Sequence, residues 1–118
     1  MQWVRLDTAF PRNHKVLALI EAKDGFRAVA AYICGLSYAG EQGTDGFVPR
    51  AALPFLHARM TEAKRLCEVN LWHAVDGGWL INGWSEFQPS TEETQARSVK
   101  ARTAAAARWG KREGGSNA

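Results

Sequence analysis

The sequence lacks most of the marks that announce a chemistry. It has two cysteines in 118 residues, too few for the disulfide framework that staples small secreted domains. Cys34 and Cys67 both fall in apolar-periodic stretches and are expected as reduced, buried thiols. The three histidines, His14, His57 and His73, are isolated from one another. Cys67 and His73 stand six residues apart, but no Cys-x-x-Cys or His-x-x-x-His pair accompanies them, so the ligand spacing of a metal site is missing. The stretch "GEQGTDG" follows no strand and lacks the Lys-Ser/Thr of a phosphate-binding loop. Neither a nucleophile elbow nor a paired-carboxylate motif occurs. The expectation is a protein that is not an enzyme and uses no cofactor, metal or small-molecule substrate.

Long apolar runs are missing as well. No stretch approaches the roughly 20 residues of a membrane helix. The opening "MQWVRLDTAFPR" has no basic segment followed by an apolar core, so it does not read as a signal peptide. A soluble, cytoplasmic protein with no membrane partner is expected. No internal repeat is visible.

What is present is a folding composition with a lopsided charge. Apolar residues make up 46% of the chain, enough for one domain with a modest core. Residues 1–90 hold nine Lys/Arg and nine Asp/Glu and are neutral. Residues 91–118 hold six bases (Arg97, Lys100, Arg102, Arg108, Lys111 and Arg112) and three acids, which accounts for the whole net charge of +3. Between Thr94 and Arg112 there is no acid at all. Such asymmetry points to an anionic partner such as nucleic acid, with a merely solvated helix face as the alternative.

The segment "QWVRLDTAF" is short and mixed, with Trp3, Val4 and Leu6 expected to pack onto the core. Pro11 and Asn13 mark a helix start, and Val16, Leu17, Leu19 and Ile20 form that helix's apolar side. A second helix is expected over 25–39, with Phe26, Val29, Ala30, Ile33 and Leu36 at helical spacing. It is apolar nearly all round, so it should be the most buried element, and Gly40 is its expected stop. Asp45-Gly46 supplies a turn and Phe47-Val48 a short strand. Pro49 then opens a helix that Pro54 keeps short or bent. Thr61 is the expected cap of a helix ending near Val69, where Asn70 takes a left-handed conformation.

Leu71–Val75 and Trp79–Asn82 flank Asp76-Gly77-Gly78 and read as a tight hairpin. Alternation puts Trp72 and Ala74 on one face and His73 and Val75 on the other, with Trp72 and Trp79 covering the core. "GWSEFQP" leaves the sheet. Ser90 or Thr91 then starts a last helix, for which Ser90 and Glu93 make a capping box. At about 100° per residue, five of its six bases fall within an arc of about 120°, with Arg102 and Trp109 on the flank. The alanines at 101 and 104–107 favour that helix, and Gly110 weakens it before Lys111.

This order of elements is that of a mainly α protein with a small β-hairpin. It reads as a winged helix-turn-helix with an N-terminal helix and a basic C-terminal helix. Residues 1–90 would form the winged helix, 91–112 a basic alanine-rich helix, and 113–118 a flexible tail. The helix at 62–69 stands in the recognition position, where Lys64 and Arg65 could meet phosphate or a guanine edge while Glu62 and Glu68 oppose it. Arg59 and Arg50 are further candidate phosphate contacts. The hairpin turn carries no base and is expected to be structural, since a wing that enters a minor groove needs Arg or Lys.

Three stretches carry a resemblance: "FPRNHKVLALI", "YAGEQGTDGFVPRAALPFL" and "LCEVNLWHAVDGGWLINGWSEFQPS". The Thr44-Asp45-Gly46 turn, Leu71-Trp72, Gly77-Gly78-Trp79 and the Trp84-x-x-x-Gln88 exit occur in the order and spacing of the family. Over about residues 3–112 the chain resembles the N-terminal winged-helix domain of phage and prophage replication initiators, also called replisome organisers. The resemblance implies binding of double-stranded DNA near an origin and contact with replication proteins. Longer relatives continue beyond the winged helix, and the sequence here reads as lacking that second domain. Three roles remain open: a DNA-binding protein of replication or transcription, a protein-interaction or homo-oligomerisation module, and an RNA binder acting through an arginine-rich helix.

Overall fold

The computed structural model describes residues 1–89. They form α1 (His14–Glu21), α2 (Gly25–Gln42), β1 (Phe47–Pro49), α3 (Met60–Glu68), β2 (Trp72–Val75), β3 (Gly78–Ile81) and α4 (Trp84–Phe87). Short 3-10 helices occupy Phe10–Arg12 and Arg50–Leu56. The architecture is mainly helical with one small antiparallel sheet. The expected helix over 91–112, the tail at 113–118 and the Ser90–Glu93 capping box lie outside the described residues. Among the described residues no helix is long and apolar enough to cross a membrane.

Local chemistry explains most element ends. The Asn13 side chain accepts a hydrogen bond from the Lys15 amide at 2.8 Å and so caps α1. Asn70 takes the expected left-handed conformation, φ 61°, and turns the chain from α3 into β2. The Pro54 segment is a 3-10 helix rather than an α-helix, as a proline one turn inside a short element requires. Gly78 belongs to β3, so the hairpin turn is the two residues Asp76-Gly77.

The strands run in the order β1-β3-β2. β3 is central, with Val48 opposite Trp79 on one side and Trp72 opposite Ile81 on the other. Trp72 is fully buried, Trp79 nearly so, and their rings lie 5.8 Å apart. His73 is exposed, as alternation requires, but Ala74 is exposed as well, on the edge strand of the sheet.

Four expectations are corrected. α2 does not stop at Gly40 but runs to Gln42, with Gly43 left-handed at its end. Gly40 instead admits the N-terminal segment: a Cβ there would sit 2.5 Å from Val4, and its carbonyl accepts the Met1 amino group at 3.0 Å. Nor is α2 buried all round. Its inner face is a stripe of small residues (Gly25, Ala28, Ala31, Gly35, Ala39 and Gly40) with Leu36. The small stripe lets neighbours approach closely, as at Gly35, where a Cβ would meet the Trp72 ring at 3.0 Å. Phe26 and Ile33 face outward. Third, of Trp3, Val4 and Leu6 only Val4 packs on the core, while Trp3 and Leu6 are exposed. Fourth, Cys34 and Cys67 are free but only partly buried.

Candidate nucleic-acid interface

The start of α3 differs from the expectation in an informative way. The helix begins at Met60, and Arg59, not Thr61, is its N-cap. Arg59 has no capping side-chain acceptor, so Glu62 fills the role from inside the helix. Its Oε1 accepts the Arg59 backbone amide at 2.8 Å, one half of a capping box. The same carboxylate takes the Arg59 guanidinium, Nε at 3.1 Å and Nη2 at 2.8 Å. A second arginine reaches it from α2: Arg27 Nε lies 3.6 Å from Glu62 Oε1.

The Glu62 side chain is 0% exposed, while those of Arg27 and Arg59 are 51% and 54% exposed. An ionised carboxylate buried without partners would be costly, and these two cations offset that cost. Hydrogen bonding from Arg59, opposed by desolvation and helped by the charges of both arginines, holds the Glu62 carboxyl below its ordinary value. The Glu62 hydrogen bond and charge push the Arg59 guanidinium up, and the charge of Asp24 adds a smaller push in the same direction.

The other expected site residues within the described chain are scattered. Lys64 and Glu68 are exposed one turn apart on the outer face of α3, and Lys64 makes no ion pair among the described residues. Arg65 is partly buried, with its Nη1 enclosed and without a hydrogen-bond partner among the described residues. Arg50 is exposed at the end of β1, where its backbone amide donates to the Gly77 carbonyl of the hairpin turn at 3.0 Å. Glu62 was expected to oppose phosphate from the outer face, but it points inward and is removed from that face. Arg97, Lys100, Arg102, Arg108, Lys111, Arg112 and the flanking Trp109 lie outside the described residues.

Sequence reasoning missed two groups. Arg27 carried no signal, because its partner is on another helix. Gln88 was quoted only as part of a motif. Its side chain is buried and pairs with the Arg5 backbone in both directions: Oε1 accepts the Arg5 amide at 2.9 Å and Nε2 donates to the Arg5 carbonyl at 2.7 Å. The N-terminal segment is thereby tied to the end of α4.

A groove of about 860 Å³ opens beside this tie, bordered by Arg5, Arg12, Lys15, Tyr32 and Trp84 among others. Two of its cations are already engaged, Arg5 with the Phe87 carbonyl and Lys15 with the Asn70 carbonyl. The Asn70 carbonyl also accepts from Asn82, whose Oδ1 contacts His73 Nδ1 at the root of the hairpin. Among the described residues no group of His, Cys, Asp and Glu could hold a metal ion.

In comparisons with known proteins, no family model, no curated protein and no solved structure matches the chain.

Proposed function

We propose that this chain is a winged-helix DNA-binding protein that acts in phage or prophage replication initiation or in gene control. The observation that carries the reading is the path of the chain from α2 to β3. A three-stranded sheet in the order β1-β3-β2 receives α3 directly into β2, the connectivity in which a recognition-position helix is followed by a wing. Charge supports it from the sequence, with six bases and no acid between Thr94 and Arg112. In this reading the basic C-terminal segment supplies most of the phosphate contacts, each releasing counterions and making binding salt-sensitive. Within the body, Lys64 is the exposed base on the recognition helix, Arg59 is exposed at its N-cap, and Arg50 is exposed where its backbone amide meets the hairpin turn, and the base-free turn Asp76-Gly77 is structural.

The test is a salt-dependent titration of duplex DNA with the full chain and with a chain ending at residue 90. Affinity for the full chain should fall steeply as salt rises from about 50 to about 200 mM, and truncation should remove most of the binding. Equal binding by the truncated chain would overturn the assignment to the C-terminal segment.

A second reading, a protein-interaction module, is favoured by one observation. Trp3, Phe26 and Phe55 are 80%, 72% and 76% exposed, aromatic surface of the kind protein interfaces use. It predicts a stable oligomer or protein complex that sediments identically with and without DNA.

A further inference from the structure

Two arginines, Arg27 on α2 and Arg59 at the N-cap of α3, share one buried carboxylate, and each keeps donors without a partner among the described residues. Arg59 binds Glu62 through Nε and Nη2, leaving Nη1 without a partner among the described residues. Arg27 approaches Glu62 through Nε alone, leaving both of its Nη atoms likewise. Both side chains are about half exposed, at 51% and 54%. If the cluster served only to neutralise Glu62, one bidentate arginine would suffice, since Arg59 already engages both carboxylate oxygens. The second arginine therefore remains as surplus charge, held beside the first at the junction of α2 and α3.

We infer that Arg27 and Arg59 form a two-pronged contact for one backbone phosphate of duplex DNA, with Glu62 as the positioning residue that aims both. This rests on the DNA-binding reading above. Guanidinium forks match phosphate geometry, and holding them in place during folding reduces the ordering cost of binding. Asp24 works against the contact. It is exposed at the start of α2 and its charge is felt at Arg59. The balance between Asp24 and the two arginines makes the site weak enough to tune by single substitutions.

The experiment uses the full chain and a labelled mixed-sequence duplex, with anisotropy recorded across a salt series and folding checked by circular dichroism and thermal unfolding. Arg27→Gln and Arg59→Gln should each weaken binding roughly tenfold, the loss of one charge-assisted hydrogen bond. Removing both should lower the salt slope by about 0.9, the one phosphate they share, and each single substitution should lower it by less. The double substitution should cost less than the product of the two, because both act on the same phosphate. Asp24→Asn, which keeps a side chain that tolerates the left-handed φ of 57° at this position, should tighten binding. Glu62→Gln is the sharpest variant. It makes the surface more positive, so a pure charge effect predicts tighter binding, whereas loss of aim predicts weaker binding. If the full chain binds with the expected salt dependence and the two arginine variants match it in affinity and slope, or Glu62→Gln binds more tightly, the inference is overturned and the DNA reading stands. If the full chain shows no salt-dependent binding, the DNA reading fails and the clamp with it.

Discussion

Two buried polar side chains tie separate parts of this protein together, and they do so by different chemistry. Glu62 joins α3 to α2 with an ionised group and two cations. Gln88 joins the N-terminal segment to the end of α4 with a neutral amide that both donates to and accepts from one backbone residue, Arg5. The amide makes a reciprocal pair of hydrogen bonds and imports no charge. The carboxylate cannot be satisfied without importing charge, and the imported charge protrudes from the surface. A buried acid can thus generate a basic surface feature, whereas a buried amide only ties two strands of chain.

Breaking the Glu62 side should have the largest effect. Glu62→Ala removes the partner of the Arg59 amide at the start of α3 and leaves a void in the α2–α3 contact. We expect a loss of about 3 kcal/mol, the low end for breaking a buried ion pair, because both arginines left behind can turn to water. Urea unfolding followed by circular dichroism measures it. A loss below about 1 kcal/mol would mean that the pair behaves as an ordinary surface salt bridge.

Gln88→Ala should come second, at about 1.5 kcal/mol, from two neutral hydrogen bonds whose Arg5 partners can rebond to water. Its consequence should be local. Hydrogen exchange of the Arg5 amide should accelerate while the amides of α2 and α3 keep their protection. If α2 protection fell as well, the N-terminal segment would be part of the cooperative core rather than a strap across it.

How far these two anchors could be read from the sequence follows from how local they are. The capping Asn13, the left-handed Asn70 and the tight hairpin around Asp76-Gly77 depend on neighbours a few residues away, and they were legible, whereas the inner face of α2 was not: its stripe of small residues is set by the elements packed on it, and Phe26, Ala30 and Ile33 lie outside it. Gly40 was expected to end α2, but it lies under the chain near Met1 and Val4 and the helix continues to Gln42, a contact no local pattern encodes. The Thr61 assignment failed because Thr is a preferred cap and Arg59 is not, although Glu62 three residues after Arg59 carried half of the capping signal. The inward turn of Glu62 was illegible, since it depends on Arg27 being brought across from α2. Gln88 was visible as a motif residue with no reason attached, because its partner lies 83 positions away. For the candidate site, the sequence identified the bases but not which of them were already engaged.

The smallest effect, and the one that separates the two anchors most cleanly, is their response to acid. Glu62 has a folded-state carboxyl held below its ordinary value of 4.5, with the Arg59 hydrogen bond as the largest cause. For a depressed carboxylate the sign is fixed: its contribution is fully present above the unfolded-state value and is lost as pH falls through the folded one. Stability should therefore decline below pH 4.5, where the unfolded chain takes up this proton and the native state still resists it. Glu62→Gln carries no such proton, so its unfolding midpoint should fall less steeply over the same acid range. Gln88→Ala should shift the whole curve down and keep the wild-type slope, because an amide does not titrate. Urea midpoints recorded from about pH 7 to about pH 3 for the three proteins test this. Parallel curves for wild type and Glu62→Gln would show that the arginines do not stabilise the ionised carboxylate, and the physical distinction between the two anchors would collapse.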